Sequence, residues 1–435
     1  MKKSILLSLA VSTLVMASHP IGDAGHALDG SHKSPVQSTH TGSSIINALK
    51  DGKFSFKTRT FYMIRTFEST ATTPSKDSAE ALTFGGILKY ESAAWNNFKV
   101  GLAYYGNHSL GFFDRADGVG TSNLQTGNGN QAGDDITFLG EAYLQYNNAN
   151  TMIKVGRQQL ATPLIQNHDL RALPSVYEAA IIRNKDIPNT MIELGYVRAY
   201  SGFVSRDSRF NDYNSKWGKD GLAYISFKNT SIDDLSVRGQ YIIAIDDQSK
   251  SATNIAVEDY KYLDAKYNLS FGTKTYLKAQ YGGNGYQDAD DSTMYGVKVG
   301  TSFGILDTAL VFNDISNNSF KAVESGPMYT DWQQGYGNYE PSTAIGGQLV
   351  FKPMKELSLK VGYVDVSANE GNLRDDFSEF NFDGKYAINS SSKIRVRYSF
   401  KNQTNESENA ISGNLNGSSG REDRQDFRVI YYLNF

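Results

Sequence analysis

The stretch that decides the fold is the last one, residues 421–435, REDRQDFRVIYYLNF. From Phe427 onward every odd position is apolar: Phe427, Val429, Tyr431, Leu433 and Phe435. Arg428 stands among them on the even face. Strict alternation marks a strand whose two faces meet different surroundings. Terminal residues that are tied to nothing fray in water. An apolar, strand-patterned terminus therefore needs an apolar medium to face and a neighbour to pair with.

The same period of two recurs upstream. Residues 54–67, FSFKTRTFYMIRTF, put Phe54, Phe56, Thr58, Thr60, Tyr62 and Ile64 on one face. Ser55, Lys57, Arg59 and Arg65 fall on the other. Residues 235–243, LSVRGQYII, and 392–400, SKIRVRYSF, alternate in the same way. Composition agrees: 27 Tyr and 23 Phe against 9 Pro favour strands. The absence of Cys is compatible with export and proves nothing about it.

The start of the chain, MKKSILLSLAVSTLVMAS, has two Lys, then an apolar run from Ile5 to Met16, then small residues. That is the pattern of a secretory signal peptide over residues 1–17, cut after Ala17. The run, about twelve residues, is too short to span a bilayer. No later stretch offers the ~18 consecutive apolar residues of a spanning helix. An exported chain without spanning helices is soluble or is an outer-membrane β-barrel. Residues 18–52 are polar and hold His19, His26, His32 and His40 at irregular spacing, which reads as a leader rather than a metal site.

The connections settle the class. Short ones fall near 93–97, 147–150, 184–189, 229–234, 268–272, 303–306, 352–356 and 389–392. Long polar ones alternate with them near 67–79, 110–135, 160–175, 200–219, 246–256, 283–291, 316–340, 368–376 and 404–423. Between them lie about 18 strands, each near the ten residues that cross a bilayer at a tilt. The expectation is an all-β fold over residues 53–435: a transmembrane antiparallel β-barrel with short periplasmic turns and long extracellular loops. A secreted solenoid or a set of sandwiches also alternates, but no repeat of fixed period is visible.

In such a barrel the apolar face meets lipid, because a charge there costs a few kcal/mol at mid-membrane. The other face lines the lumen. It carries Lys57, Arg59, Lys154, Arg238, Lys278, Lys298, Lys360, Arg395, Arg397 and Arg428, a candidate pore-lining basic ladder. Glu141, Glu193, Asp264, Glu379 and Asp383 reach the same face less often. With about 18 strands the lumen is too wide for side chains to fill. A basic lumen lowers the energy of passing anions and concentrates them.

One segment is sharper: residues 151–180, TMIKVGRQQLATPLIQNHDLRALPSVYEAA. A strand ends at Lys154 and Gly156, a loop follows with Pro163, Asp169, Arg171 and Pro174, and a new strand begins at Val176. With DGKFSFKTRTFYMIRTF (51–67), GDDITFLGEAYLQY (133–146) and the terminal strand, the chain resembles the OprD family of outer-membrane porins. The resemblance runs over most of residues 50–435. It implies an 18-stranded channel, monomeric or homotrimeric, that takes up small carboxylate-bearing solutes. It also implies that the 160–175 loop folds inward as the constriction, with Asp169 and Arg171 at or near the eyelet. An Asp–x–Arg pair that merely braces the loop against the wall fits the same residues.

Other chemistry has little support. Residues 300–304, GTSFG, match the nucleophile-elbow pattern around Ser302, but that motif needs a strand, a turn and then a helix. The acidic loop at 286–294, YQDADDSTM, offers Asp288, Asp290 and Asp291 as oxygen ligands without the spacing of a defined calcium loop. No cofactor is expected, a loosely bound Ca²⁺ on the outer loops being the alternative. Net charge −3 and inward-pointing basic residues argue against nucleic acid. The expected function is passive diffusion of small hydrophilic solutes across the outer membrane, anionic ones favoured, and no enzymatic activity. The alternative is a surface adhesin or structural barrel with calcium-binding loops. Partners expected are solutes, outer-membrane lipid and, through Phe435, the barrel-assembly machinery.

Overall fold

The computed structural model describes residues 44–68, 78–110, 135–167, 171–201, 220–245, 257–270, 273–287, 289–323, 326–333, 338–368, 376–403 and 423–435. The signal peptide, most of the polar leader, Asp169 and Asp288 lie outside them. The chain opens with helix α1 (Ile45–Lys50) and strands β1 (Lys53–Glu68), β2 (Ser78–Glu91), β3 (Phe98–Ser109), β4 (Ile136–Asn148) and β5 (Thr151–Gln158). Then come β6 (Val176–Asn184), β7 (Thr190–Ser201), β8 (Leu222–Asn229), β9 (Leu235–Ala244), β10 (Val257–Ser270) and β11 (Lys274–Tyr286). β12 (Ser292–Phe303), β13 (Leu306–Ser316) and the two-residue β14 (Phe320–Lys321) and β15 (Asn338–Tyr339) follow. The chain closes with β16 (Ser342–Met354), β17 (Leu357–Ala368), β18 (Phe377–Ala387), β19 (Ser392–Gln403) and β20 (Asp423–Asn434).

Among the described residues, an 18-stranded antiparallel sheet pairs each long strand with the next, and β1 also pairs with β20. The sheet is therefore a closed barrel with no open edge, as a hydrocarbon surround demands. The closing seam is long: Lys57 pairs with Asn434 at one end and Glu68 with Asp423 at the other. Phe435 continues it, its N–H donating to Phe56 O at 2.8 Å and its carbonyl accepting from Phe56 N–H at 3.1 Å.

The short turns are built from residues that tolerate positive φ. Trp95 and Phe98 exchange both backbone hydrogen bonds across Asn96 (φ 47°) and Asn97 (φ 70°). That pair of left-handed residues matches the right-handed twist of a two-residue hairpin. Gly304, at φ 61°, does the same between β12 and β13. Ser302 therefore enters a hairpin opposite Asp307, and no helix follows it.

Burial separates the faces as the alternation predicts. In β20, Asp426, Arg428, Ile430 and Tyr432 are buried inward, while Phe427, Val429, Tyr431 and Leu433 are partly exposed outward. Leu88, Leu102, Leu144 and Val155 belong to the exposed outer band. Aromatic pairs mark its short-turn end, Phe54–Tyr90 at 5.1 Å and Phe98–Tyr146 at 4.8 Å among them.

The inner face departs from the expected uniform polar lining. Tyr177, Ile181, Val197, Tyr224, Ile242, Tyr260 and Tyr262 form one apolar cluster inside the barrel, packed on loop residues Leu160, Leu164, Ile165, Phe320, Val323 and Met328. Those wall positions are apolar because chain, not water, covers them.

Candidate functional site

Two long connections fold into the lumen. The first joins β5 to β6. Thr162 N–H donates to Ile165 O at 2.8 Å and closes a turn around Pro163. The turn reaches across to β9: Leu164 N–H donates to Gln240 Oε1 at 2.7 Å, and Gln240 Nε2 donates to Thr162 Oγ1 at 2.8 Å. Its other end returns to the seam side. Arg59 Nη1 donates to Arg171 O, and a side chain at Gly85 would come 2.9 Å from Ala172 O. Glycine at 85 thus lets the loop lie directly on β2.

The second, residues 317–341, joins β13 to β16. Its polar composition predicts an outer loop; in the structure its described residues fold into the lumen. Met328, Tyr329, Thr330, Asp331, Trp332 and Gln333 are all buried. Thr330 N–H donates to Asn313 Oδ1 at 3.1 Å, and Gln333 N–H donates to Asn381 Oδ1 at 3.3 Å. Gln333 Nε2 reaches Asp426 Oδ1 at 3.3 Å. Val323 N–H donates to Leu164 O at 3.1 Å, so the two loops are joined inside the barrel. The available signal was PMYTDW (327–332), an apolar and aromatic run with no strand alternation in a segment read as solvent-facing.

The ten candidate ladder residues all lie on inward positions but fall into two groups. Lys57 and Arg59 on β1, Lys360 on β17, Arg395 and Arg397 on β19 and Arg428 on β20 share the wall around the seam. Lys154, Arg238, Lys278 and Lys298 lie on β5, β9, β11 and β12, across the barrel. On β19, Lys393, Arg395, Arg397 and Lys401 are spaced by even steps and so share the inner face, a run of roughly 26 Å at strand rise. Register aligns the neighbours: Lys360 faces Asp383, Asp383 faces Arg397, and Arg397 faces Arg428. Arg65 and Arg424, outside the predicted set, extend the same wall.

Acids tie many of these cations. Asp426 accepts from Arg428 Nε at 2.6 Å and from Arg65 Nη2 at 2.8 Å. Asp383 accepts from Arg395 Nε at 2.9 Å, and Arg397 Nε lies 3.8 Å from it. Arg238 is held by Asp264 at 2.8 Å. Aromatic rings hold others: Lys154 lies 3.7 Å from the Tyr143 ring centre, Lys360 5.6 Å from that of Trp332 and Lys278 5.7 Å from that of Tyr329. Lys57 is exposed near the short-turn end, and Lys298 is fully buried opposite Lys278. Arg59 serves the loop rather than the open lumen, because its guanidinium binds the Arg171 carbonyl.

Arg171 is half-buried within electrostatic reach of Arg65, Asp426 and Arg428. Asp290 and Asp291 are exposed; Asp291 Oδ1 accepts from Tyr286 N–H at 3.2 Å and caps the β11–β12 turn. Among the described residues, no three His, Asp or Glu side chains come together as a metal site.

A closed barrel with a lipid-facing outer band, a charged inner wall and loops folded across its lumen defines an outer-membrane channel. The chain belongs to the OprD family of outer-membrane porins, whose model matches residues 47–340. Solved barrels share the fold. Pseudomonas aeruginosa OccK9 (OpdG) is 16% identical with a TM-score of 0.72, the match covering 89% of this chain and 99% of that one. Acinetobacter baumannii OccAB2 is 15% identical at 0.71, over 89% and 99%. P. aeruginosa OpdK, solved with vanillate, is 15% identical at 0.70, again over 89% and 99%. No protein in the curated set matches the sequence.

Proposed function

We propose that this porin passes small solutes bearing a carboxylate, by passive diffusion and without covalent chemistry. The observation that carries the reading is the wall from β17 through β20 to β1. There Lys360, Arg395, Arg397, Arg428 and Arg65 stand close in register against the acids Asp383 and Asp426. Cationic side chains in a confined lumen lower the energy of an anion and raise its local concentration. The two inturned loops narrow the path beside that wall and set the size limit. OpdK, solved with vanillate, is an aromatic-acid complex on the same fold, which supports the class without fixing the solute.

The test is conductance in a planar bilayer under a salt gradient, then block by amino acids, dicarboxylates and aromatic monocarboxylates. Anion-leaning reversal potentials and block by carboxylates are expected. A cation-selective pore indifferent to all three solute classes would overturn the proposal.

A further inference from the structure

Helix α1 lies outside the barrel, not in it. Tyr90, on the outward face of β2 with Leu88, donates from its hydroxyl to Leu49 O. Ala93 N–H donates to Ala48 O at 2.9 Å, pinning the helix to the β2–β3 turn. Ser44 caps the helix, its side chain accepting from Asn47 N–H at 3.2 Å. Ile45, Ile46, Ala48 and Leu49 fall on one arc of the helix and Asn47 and Lys50 on the other. Ala48 is buried against the wall, while Ile45, Ile46 and Leu49 are exposed. A helix with such an arc, at the short-turn end of a barrel, lies at the periplasmic boundary of the bilayer.

Between this helix, the turn and the wall is a cavity of about 300 Å³. Ile45, Leu49, Trp95, Phe98, Val100 and Leu144 line most of it. Leu144 is itself part of the exposed outer band, so the groove is continuous with the lipid-facing surface. Lys50 is exposed on the helix beside it, where a long cationic side chain reaches the headgroup region.

We infer that the groove between α1 and the β2–β3 turn holds one acyl chain of a phospholipid of the periplasmic leaflet, with an anionic headgroup near Lys50. The occupant is lipid because the groove opens onto the bilayer face and its lining is apolar except for Ser92 and one cation, Lys99. The site is separate from the lumen and stands whichever solute the pore carries.

The experiment places the full mature chain in nanodiscs of phosphatidylglycerol brominated along its acyl chains and reads tryptophan emission. The chain has 3 Trp, so the difference between the unmodified protein and Trp95→Phe isolates Trp95. Bromine is expected to remove most of the Trp95 emission. Ala93→Phe, which fills the groove, is expected to restore at least half of it. Val100→Phe fills it from the wall side and serves if Ala93→Phe fails to assemble. Unquenched Trp95 overturns the inference. So does quenching that neither filling variant changes, which assigns it to the general lipid annulus. Quenching that emerges only after deletion of residues 18–43 overturns it in favour of the chain's own leader.

Discussion

Arg397 on β19 and Arg428 on β20 are direct cross-strand partners on the inner face, two cations in register beside the seam. Like charges directly opposite each other destabilise a sheet. The pair stands because Asp383 flanks Arg397 on one side and Asp426 binds Arg428 on the other. The wall is thus a lattice in which each acid holds cations in place without cancelling them. Such an arrangement costs stability, and because Arg397 and Arg428 are buried it acts on a passing solute through its field rather than by contact.

The first prediction takes charge away. Arg395→Gln with Arg397→Gln keeps the backbone pairing of the strand, removes two cations from one wall and strips the buried Asp383 of both guanidinium partners, so stability falls as well. A unit charge several ångströms from the ion path, in water, contributes about 0.5 kcal/mol, or roughly a twofold change in ion partition per charge. Reversal potentials in a salt gradient should shift toward cations by that order, with open-channel conductance of similar size. An unchanged potential would remove these two residues from the proposed ladder.

The second takes an acid away. Asp426→Asn leaves Arg65 and Arg428 with no anion between them and weakens the Gln333 contact that ties the second loop to the seam. Removing one partner of a buried ion pair costs about 3–5 kcal/mol. Stability, read as the urea midpoint of the detergent-folded barrel, should fall while anion preference rises. A purely structural acid would lower the first without moving the second, so the two readouts separate the roles.

Much of the barrel is legible in the sequence. The short turns fall where the alternation puts them, because the membrane enforces a period of two and a strand length; the connection expected as long at 283–291 is only five residues, since β11 runs on to Tyr286 and β12 begins at Ser292. The terminal nonapeptide was legible for the same reason. The inside was less so. Phe61 and Met63 interrupt the basic face of β1 and are fully buried, facing Ile430 and Arg428 of the seam. Loop 317–341 was missed because its inward path depends on distant partners, Asn313, Asn381 and Asp426, that no local pattern names. The pairing of Arg395 with Asp383 and of Arg238 with Asp264 was hidden likewise, since register between strands decides it.

A third prediction tests the second loop directly. Gly362 on β17 sits under the Trp332 ring, and a Cβ there would come within 2.8 Å of it. Gly362→Ala forces the ring off the wall, at a cost of about 1–3 kcal/mol if the loop cannot yield. The ring is one member of a small apolar cluster with Val311, Ala344, Val364, Val366 and Phe377, so the loop is expected to shift at that point, and mean single-channel conductance should rise with more frequent flicker. Conductance traces like those of the unmodified channel would mean that Trp332 does not bound the path.

The last prediction concerns the end of the chain. Phe435 exchanges two backbone hydrogen bonds with Phe56 and stacks against its ring with centroids 6.5 Å apart. Its deletion removes both bonds at the periplasmic mouth of the seam, worth about 0.5–1.5 kcal/mol each. The seam keeps its register from Lys57–Asn434 upward, so the finished barrel should survive with nearly normal thermal stability. We propose that assembly in cells adds a further event, recognition of the exposed apolar terminus before the seam closes. Outer-membrane yield of the deletion variant should therefore fall severalfold, while protein refolded in detergent conducts as the full chain does. If yield and refolded stability fall together, the residue acts only as part of the seam. If neither falls, the terminal aromatic is dispensable to both.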